Sequence, residues 1–434
     1  MDVNYNFFYK KKFLIYGFGK SGLASFRYLN KKNECKIIDD NKNNIPAKFK
    51  KNFLNTNQIK NFFFDYIVLS PGIDINKCKL SKYLIKNKNN IITELDIFYL
   101  NYPNNKKITI TGTNGKSTTS KLLFDVLKAH KKDVRLVGNI GNPILFEKKI
   151  TNKTIFVIEA SSYQLDYSKF FCSEYSMILN LSPDHLERHG NFKKYVDSKF
   201  KLLKNQSSRN YAFIENKSNI LNNLIKKNKI RSKIYKIDYK NYKKYFKLIN
   251  NPYMNNKSNL KNLAFIFALS NCINLNVKKI INTVNKFQGL NFRQQIIYNS
   301  KKLIIINDSK STSLSSAKPL LESYKNIFWI LGGLAKKGDK LQLSKNHYKK
   351  ISAFIYGTDK KFFSKILYKK IKYKISKNIN NSLFIIFKEL KKNVNEKRVI
   401  LFSPSAASFD QFKNFEDRGR YFNKIIKNYI RRHK

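Results

Sequence analysis

Cysteine is scarce in this chain and scattered where it occurs. Cys35, Cys78, Cys172 and Cys272 stand far apart with no CxxC pair. That argues against a disulfide framework or a structural zinc site and fits a reducing compartment. No run of about 18 apolar residues exists, so no membrane span is expected. The first twelve residues lack the apolar stretch and small-residue cleavage site of a secretory leader, and a cytoplasmic, bacterial protein is expected. Glycine (15), proline (8) and tryptophan (1) are few, and 28 acidic residues face 86 lysines and arginines.

The resulting formal charge of +58 invites a polyanion-binding reading, because clustered cations displace counterions from phosphates. The lysines, however, are spread along the chain, and asparagine, isoleucine, phenylalanine and tyrosine are abundant beside them. These residues share codons rich in A and T, so the bias reads as compositional drift. No specific nucleic-acid partner is expected, and a monomer is. A lysine matching a motif here means little, whereas a glycine, histidine or proline in place means more.

At 434 residues the chain exceeds one core, and 42% hydrophobic content is enough to bury several. Short apolar runs alternate with helical-period stretches, the pattern of βα units and parallel sheets, so the fold class is α/β. Strands are predicted at Lys12–Tyr16 and 65–70, then at Lys107–Thr111, Ile155–Glu159 and 176–181. The second block closes with a helix over 259–273, and a third block, from about Gly289, carries strands at Leu303–Asn307, 327–331, 353–356 and 399–402 and a helix from 418 to the end. Between about 205 and 258 periodicity is weak, and short strands and loops both stay open.

The central motif is Thr111-Gly112-Thr113-Asn114-Gly115-Lys116-Ser117-Thr118, which follows a strand and opens a helix. Backbone N–H groups at such a helix start converge on phosphate oxygens, Lys116 can reach the β/γ-phosphates, and the Ser117 hydroxyl can ligate Mg²⁺. Ile110 stands where the full Walker pattern has its first glycine, so the loop is a shortened variant. ATP is the expected ligand. Gly17-Phe18-Gly19-Lys20-Ser21-Gly22, with Asp39 and Asp40 about twenty residues on, matches a dinucleotide fingerprint. It predicts a diphosphate-containing ligand and leaves NAD open. Glu159 at a strand end suits a metal-binding carboxylate. His185 and His189 stand four apart without the zinc-peptidase pattern; His185 is the functional candidate and His189 the structural one.

The phosphate loop, Gly138-Asn139-Ile140-Gly141, Glu159 with Ser161-Ser162-Tyr163-Gln164, and Asp184-His185 together resemble the Mur ligase family. The run from Leu401 to Arg420, Asn307-Asp308-Ser309-Lys310-Ser311-Thr312 and Ser70-Pro71-Gly72 resemble its D-glutamate-adding branch. The resemblance implies three domains: a Rossmann-like domain at 1–98 for a UDP-linked sugar, a central P-loop ATPase-type ligase domain at 99–289, and a dinucleotide-fold domain at 290–434 for the incoming amino acid. It implies that UDP-N-acetylmuramoyl-L-alanine and D-glutamate are joined through an acyl phosphate, in peptidoglycan precursor synthesis.

The same resemblance implies the remaining roles. Lys116, Glu159, His185 and Lys199 would be catalytic. Two Mg²⁺ ions would be held by Ser117, Glu159, His185 and a carbamylated Lys199. Asn259, Asn262, Arg293 and Asp308 would join Gly112 to Thr118 in contacting ATP; Ser258 replaces the histidine usual before the first asparagine. Gly19, Lys20, Ser21, Asp39, Asp40, Ser70, Pro71, Gly72 and Asn139 would meet the UDP substrate, and Lys310, Thr312, Lys336, Ser408 and Phe415 the D-glutamate. Two alternatives stand beside this reading: a family member adding another amino acid, and an NAD-dependent oxidoreductase.

Overall fold

Strands whose residues are buried on both faces need cover on both sides, and the apolar runs of this chain supply such strands three times over. The computed structural model describes residues 7–432 except 42, 44, 255, 337 and 392–395. The chain divides into two compact units, Met1–Lys244 with Asn262–Thr283, and Tyr245–Lys261 with Val284–Lys434. Among the described residues the strands form three sheets.

The first unit holds two of them. β1 (Lys12–Tyr16), β2 (Glu34–Ile38), β3 (Tyr66–Leu69) and β4 (Ile91–Ile92) run parallel in the order β2-β1-β3-β4. Alternate residues of β1 face different cores: Phe13 and Ile15 pack with Ile37 and Val68, while Leu14 and Tyr16 pack with Ile38, Ile67 and Leu69. The second sheet contains β5 (Lys107–Thr111), β6 (Val134–Gly138), β7 (Ile155–Glu159), β8 (Tyr175–Ile178), β9 (Tyr211–Glu215) and β10 (Lys233–Ile237), all parallel, ordered β10-β9-β8-β5-β7-β6. Every residue of central β5 is buried.

The two sheets are tied by Asp96, in the capping box that starts helix Glu94–Asn101. Its Oδ2 accepts from Thr93 N, and its Oδ1 accepts from Ser168 Oγ and the amides of Lys169, Phe170 and Phe171 at 2.8–3.0 Å.

The second unit carries β11 (Gln295–Asn299), β12 (Leu303–Asn307), β13 (Ile327–Gly332), β14 (Ile351–Tyr356), β15 (Lys372–Ile375) and β16 (Arg398–Phe402), ordered β11-β12-β16-β13-β14-β15. β11 is antiparallel and the others are parallel. Trp329 and Leu331 face one core, Phe328 and Ile330 the other.

The stretch left open at 205–258 contains β9, helix Asn219–Asn228, β10 and short helical turns. Its periodicity is faint for a physical reason. β10 is an edge strand, largely exposed, and its sequence KIYKI puts lysines where a neighbour would otherwise pair. Edge strand β15, KYKI, is protected in the same way. Strands β2, β4, β6, β11 and β15 had no separate prediction. β8 ends at Ile178, before the predicted 181, because Leu179 N and the following residues turn to bond the phosphate loop. The last helix begins at Phe415, with Glu416 and Asp417 in the first turn, where carboxylates suit the helix dipole. Among the described residues no helix is long and apolar enough to cross a membrane.

Candidate active site

In a parallel sheet the loops leaving neighbouring strands share one edge, and this topology gathers the predicted residues. The chain leaves β5 through Gly112 (φ +145°) and Gly115 (φ +84°). A Cβ on Gly115 would stand 2.4 Å from Asn262 Nδ2, so the glycine is required for both its dihedral and its neighbour. The loop is sewn to the segment after β8. Asn114 N donates to Asn180 Oδ1 and Asn180 Nδ2 donates to Asn114 O, each at 2.9 Å. Thr113 N donates to Asn180 O at 2.9 Å, and Thr113 Oγ1 to Ser182 O at 3.1 Å. Lys116 Nζ lies over the loop, donating to the carbonyls of Gly112 (2.9 Å) and Thr113 (2.8 Å). Ser117 and Thr118 are buried in the first turn of helix Lys116–Ala129, where amide groups lack intrahelical partners.

Glu159 ends β7, next to β5, and is buried. Its Oε1 accepts from Asn139 Nδ2 at 2.7 Å, while Oε2 is buried without a hydrogen-bond partner. His185 sits in the left-handed region (φ +54°). Its Nδ1 lies 2.9 Å from the Tyr163 hydroxyl, and its Nε2 3.4 Å from Asp184 Oδ2. His189 is buried against Ser162 Oγ (3.0 Å), and burial holds its pKa below the ordinary value.

Lys199 projects from helix Phe192–Lys204, whose start is capped by Asn191. The side chain is fully buried, with Nζ 3.3 Å from Thr111 Oγ1 and 4.8 Å from the Tyr195 ring centroid. Burial pushes the amine well below its usual pKa and the Lys116 charge adds to this, with Asp184 and Glu159 opposing. The amine is therefore biased toward its neutral form.

The loops leaving β1, β2 and β3 share the carboxyl edge of the first sheet. Ser70 Oγ donates to Gly17 O at 2.6 Å, and a Cβ on Gly22 would stand 1.9 Å from the same oxygen. Asp39 Oδ2 accepts from Phe18 N (2.6 Å), and Asp40 Oδ1 from the Tyr16 hydroxyl (2.6 Å). Ser21 donates to buried Glu94. A Cβ on Gly19 or Gly72 would meet nothing within 4 Å, so packing does not explain these two glycines. Lys20 opens helix Lys20–Leu29, and Pro71 stands in the turn after β3.

In the second unit, β12, β16 and β13 are adjacent and parallel, so the segments carrying Asp308, Lys310 and Thr312, then Ser408, then Lys336 leave one edge. Lys310 Nζ is 4.0 Å from the Phe415 ring centroid. Asp308 is buried and accepts from Ser403 Oγ (2.9 Å) and Gln294 N (3.0 Å). Burial raises its pKa to about 7 against the pull of those bonds, Arg293 and Arg418. Asn259 Nδ2 donates to Tyr253 O (2.7 Å), and the Tyr253 hydroxyl donates to Arg293 O (3.3 Å).

Comparison with known proteins follows the same lines. The family profile of the Mur ligase middle domain matches residues 110–280. The UDP-N-acetylmuramoylalanine--D-glutamate ligase of Rickettsia bellii is 33% identical, covering 95% of this chain and 96% of its own. The protein of the same name from Elusimicrobium minutum is 34% identical over 96% and 98% of the two chains. The chain belongs to the Mur ligase family. Among solved structures, UDP-N-acetylmuramate-alanine ligase of Thermotoga maritima matches with TM-score 0.55 and 16% identity, over 96% of this chain and 100% of that one. The MurF ligase of Thermotoga maritima, solved with ADP, matches with TM-score 0.56 and 14% identity, over 86% and 91%. At these identities the likeness concerns the three-sheet α/β fold alone.

Mur ligases are in general dependent on ATP and magnesium, and the residues of this one fit both. A buried carboxylate oxygen without a partner, beside a phosphate loop, is the donor that a hard divalent cation takes. Several residues of this Mur ligase were given no role from sequence. Tyr195 lies one helical turn before Lys199, a spacing that could have revealed it. Arg188 bonds Ile73 O (2.7 Å) and the Tyr167 hydroxyl (3.1 Å) and pairs with Asp74 (3.1 Å), tying the loop after β3 to the histidine segment. Ser309 and Arg418 carry no signal beyond their place inside the runs at 307–312 and 401–420, and Asn180 none beyond a predicted strand.

Proposed function

We propose that this chain is an ATP-dependent amide ligase joining D-glutamate to UDP-N-acetylmuramoyl-L-alanine, for peptidoglycan precursor synthesis in the cytoplasm. The observation that carries this reading is the shared edge of the central sheet, where the phosphate loop, the unpaired oxygen of Glu159 and the neutral-biased amine of Lys199 meet. A carboxylate is a poor electrophile, and phosphorylation makes it a good one. The alanyl carboxylate attacks the γ-phosphorus and ADP leaves. The amine of D-glutamate then adds to the acyl phosphate, and the tetrahedral intermediate expels phosphate and loses the amine proton.

Each residue has a role in that sequence. The amides of the phosphate loop and Lys116 orient the transferring phosphoryl group. Ser117 and Glu159 would hold one Mg²⁺; His185 and Lys199, as its carbamate, would hold a second. Magnesium supplies positive charge that the developing oxygen charges need in the transition state. Lys199 suits carbamylation because only a neutral amine adds to CO₂, giving a carbamate and a proton. Asn262 braces Gly115, while Asn259, Arg293 and Asp308 are the proposed nucleotide contacts of the second unit. The loops after β1, β2 and β3 would take the UDP group, and Lys310, Thr312, Lys336, Ser408 and Phe415 the D-glutamate, with the two lysines pairing its carboxylates. We assign the three sheets to domains at about 1–98, 99–289 and 290–434, acting as a monomer.

The test is release of ADP and phosphate from ATP, UDP-N-acetylmuramoyl-L-alanine and D-glutamate, with each omitted in turn. Turnover should need all three; a preference for another amino acid in a panel would reject the D-glutamate assignment.

A further inference from the structure

Arg418 is fully buried in the first turns of helix Phe415–Arg432, yet it gives its donors to three neutral oxygens on two other segments. Its Nε donates to Ser309 Oγ at 3.1 Å, and its Nη2 to Ser309 O at 2.8 Å and Ala406 O at 3.0 Å. Ser309 Oγ in turn donates to Phe415 O at 2.9 Å. Ser309 lies between Asp308 and Lys310, and Ala406 lies two residues before Ser408. One guanidinium thus fixes the backbone beside Lys310, Ser408 and Phe415, three of the residues assigned to the amino acid.

The energetics point away from a purely stabilising purpose. Arg418 Nη1 makes no hydrogen bond of ordinary geometry, and burial lowers the guanidinium's pKa although the buried Tyr356 hydroxyl and the charges of Asp410 and Asp308 favour the charged form. Burying a guanidinium with a donor unsatisfied is costly, and an apolar side chain of similar volume often stabilises better. What the fork supplies and an apolar residue does not is a fixed spacing between loops.

We propose that Arg418 and Ser309 are positioning residues of the amino-acid pocket, holding Lys310, Phe415 and Ser408 in one arrangement around the substrate. The proposal rests on the assignment of that pocket given above. The decisive variant is Ser309→Ala, which removes the Oγ link between Arg418 and Phe415 and leaves the buried charge in place.

Its KM for the amino acid should rise about tenfold, the loss expected for a hydrogen bond to a charged group. Maximal rate and the KM values for ATP and the UDP substrate should stay within about twofold. Discrimination between D-glutamate and D-aspartate should weaken as well. Arg418→Lys keeps the charge without the fork and should raise the same KM, whether or not its thermal stability drops. An unchanged amino-acid KM in Ser309→Ala, or a common rise for all three substrates, overturns the proposal. A panel on the unmodified enzyme comes first: another preferred amine would reject the D-glutamate assignment, and the Ser309→Ala comparison is then made with that amine.

Discussion

Asn139 and Glu159 are joined twice: Asn139 N donates to Glu159 O at 2.9 Å, and Asn139 Nδ2 to Glu159 Oε1 at 2.7 Å. The backbone bond sets where the asparagine stands, and the side-chain bond sets which way the carboxylate faces. Asn139 is therefore placed to orient the carboxylate proposed above as a metal donor.

Asn139→Ala should raise the magnesium concentration giving half-maximal rate by about tenfold, the usual penalty for losing an orienting partner. Glu159→Gln should remove measurable ligation. Metal-free Glu159→Gln should melt no lower than the unmodified protein, because a buried carboxylate with an unpaired oxygen has been neutralised. Rate against magnesium concentration and metal-free thermal melts check the pair. A magnesium response unchanged by Asn139→Ala would remove the asparagine from this role.

Gly115→Ala tests the phosphate loop. The residue is left-handed, at φ +84°, and the new Cβ would press on Asn262. The dihedral alone costs an alanine about 1–2 kcal/mol, and displacing Asn262 moves the first turn of Lys116–Ala129. Denaturant unfolding should show a loss of that order, and ADP affinity measured by calorimetry should fall. Retained affinity would mean that the loop adapts without loss.

Lys199 gives a pH prediction of definite sign. Burial lowers the pKa of its amine in the fold well below the ordinary lysine value that the unfolded chain has. Between those two values the unfolded chain binds the extra proton, so stability rises with pH across that window and is flat below it. Lys199→Met removes the titrating group while keeping the volume, and its melting temperature should lack this rise. Mass measurement of native enzyme equilibrated with bicarbonate should show one added CO₂ that Lys199→Met does not acquire. Native protein carrying a plain amine with full activity would reject the carbamate.

The sequence revealed the strands that lead into ligand loops, since Lys12–Tyr16, Lys107–Thr111 and Ile155–Glu159 are apolar runs with a glycine or carboxylate at the end. It hid the edges. Lysine-laced β10 stays open between strand and loop and β15 gives no signal, because an edge strand needs no continuous apolar face. The phosphate loop was legible in one stretch of sequence because its chemistry is local. Arg418 and Ser309 were not, since a contact across more than a hundred residues leaves no spacing to read. The burial of Lys199 was equally hidden among so many lysines.

Glu94 supplies a test that does not involve the phosphate loop. It is buried, it accepts from Ser21 Oγ at the start of helix Lys20–Leu29, and its Oε1 lies 3.4 Å from the donating Leu145 N. Burial raises its pKa to about 7, and the bonds from Ser21, Leu145 and Ile144 only partly oppose this. In the unfolded chain a glutamate titrates near about 4.3. Between the two values the folded protein holds a proton that the unfolded chain has released. Stability therefore falls as pH rises through this window and levels off above about 7. Glu94→Gln keeps an acceptor for Ser21 and removes the titration. Its melting temperature relative to the unmodified protein should climb between about pH 5 and pH 8 and then hold steady. Parallel melting curves across that range would show that Glu94 ionises in the fold as readily as in water, and that its contact with Ser21 is a solvated one.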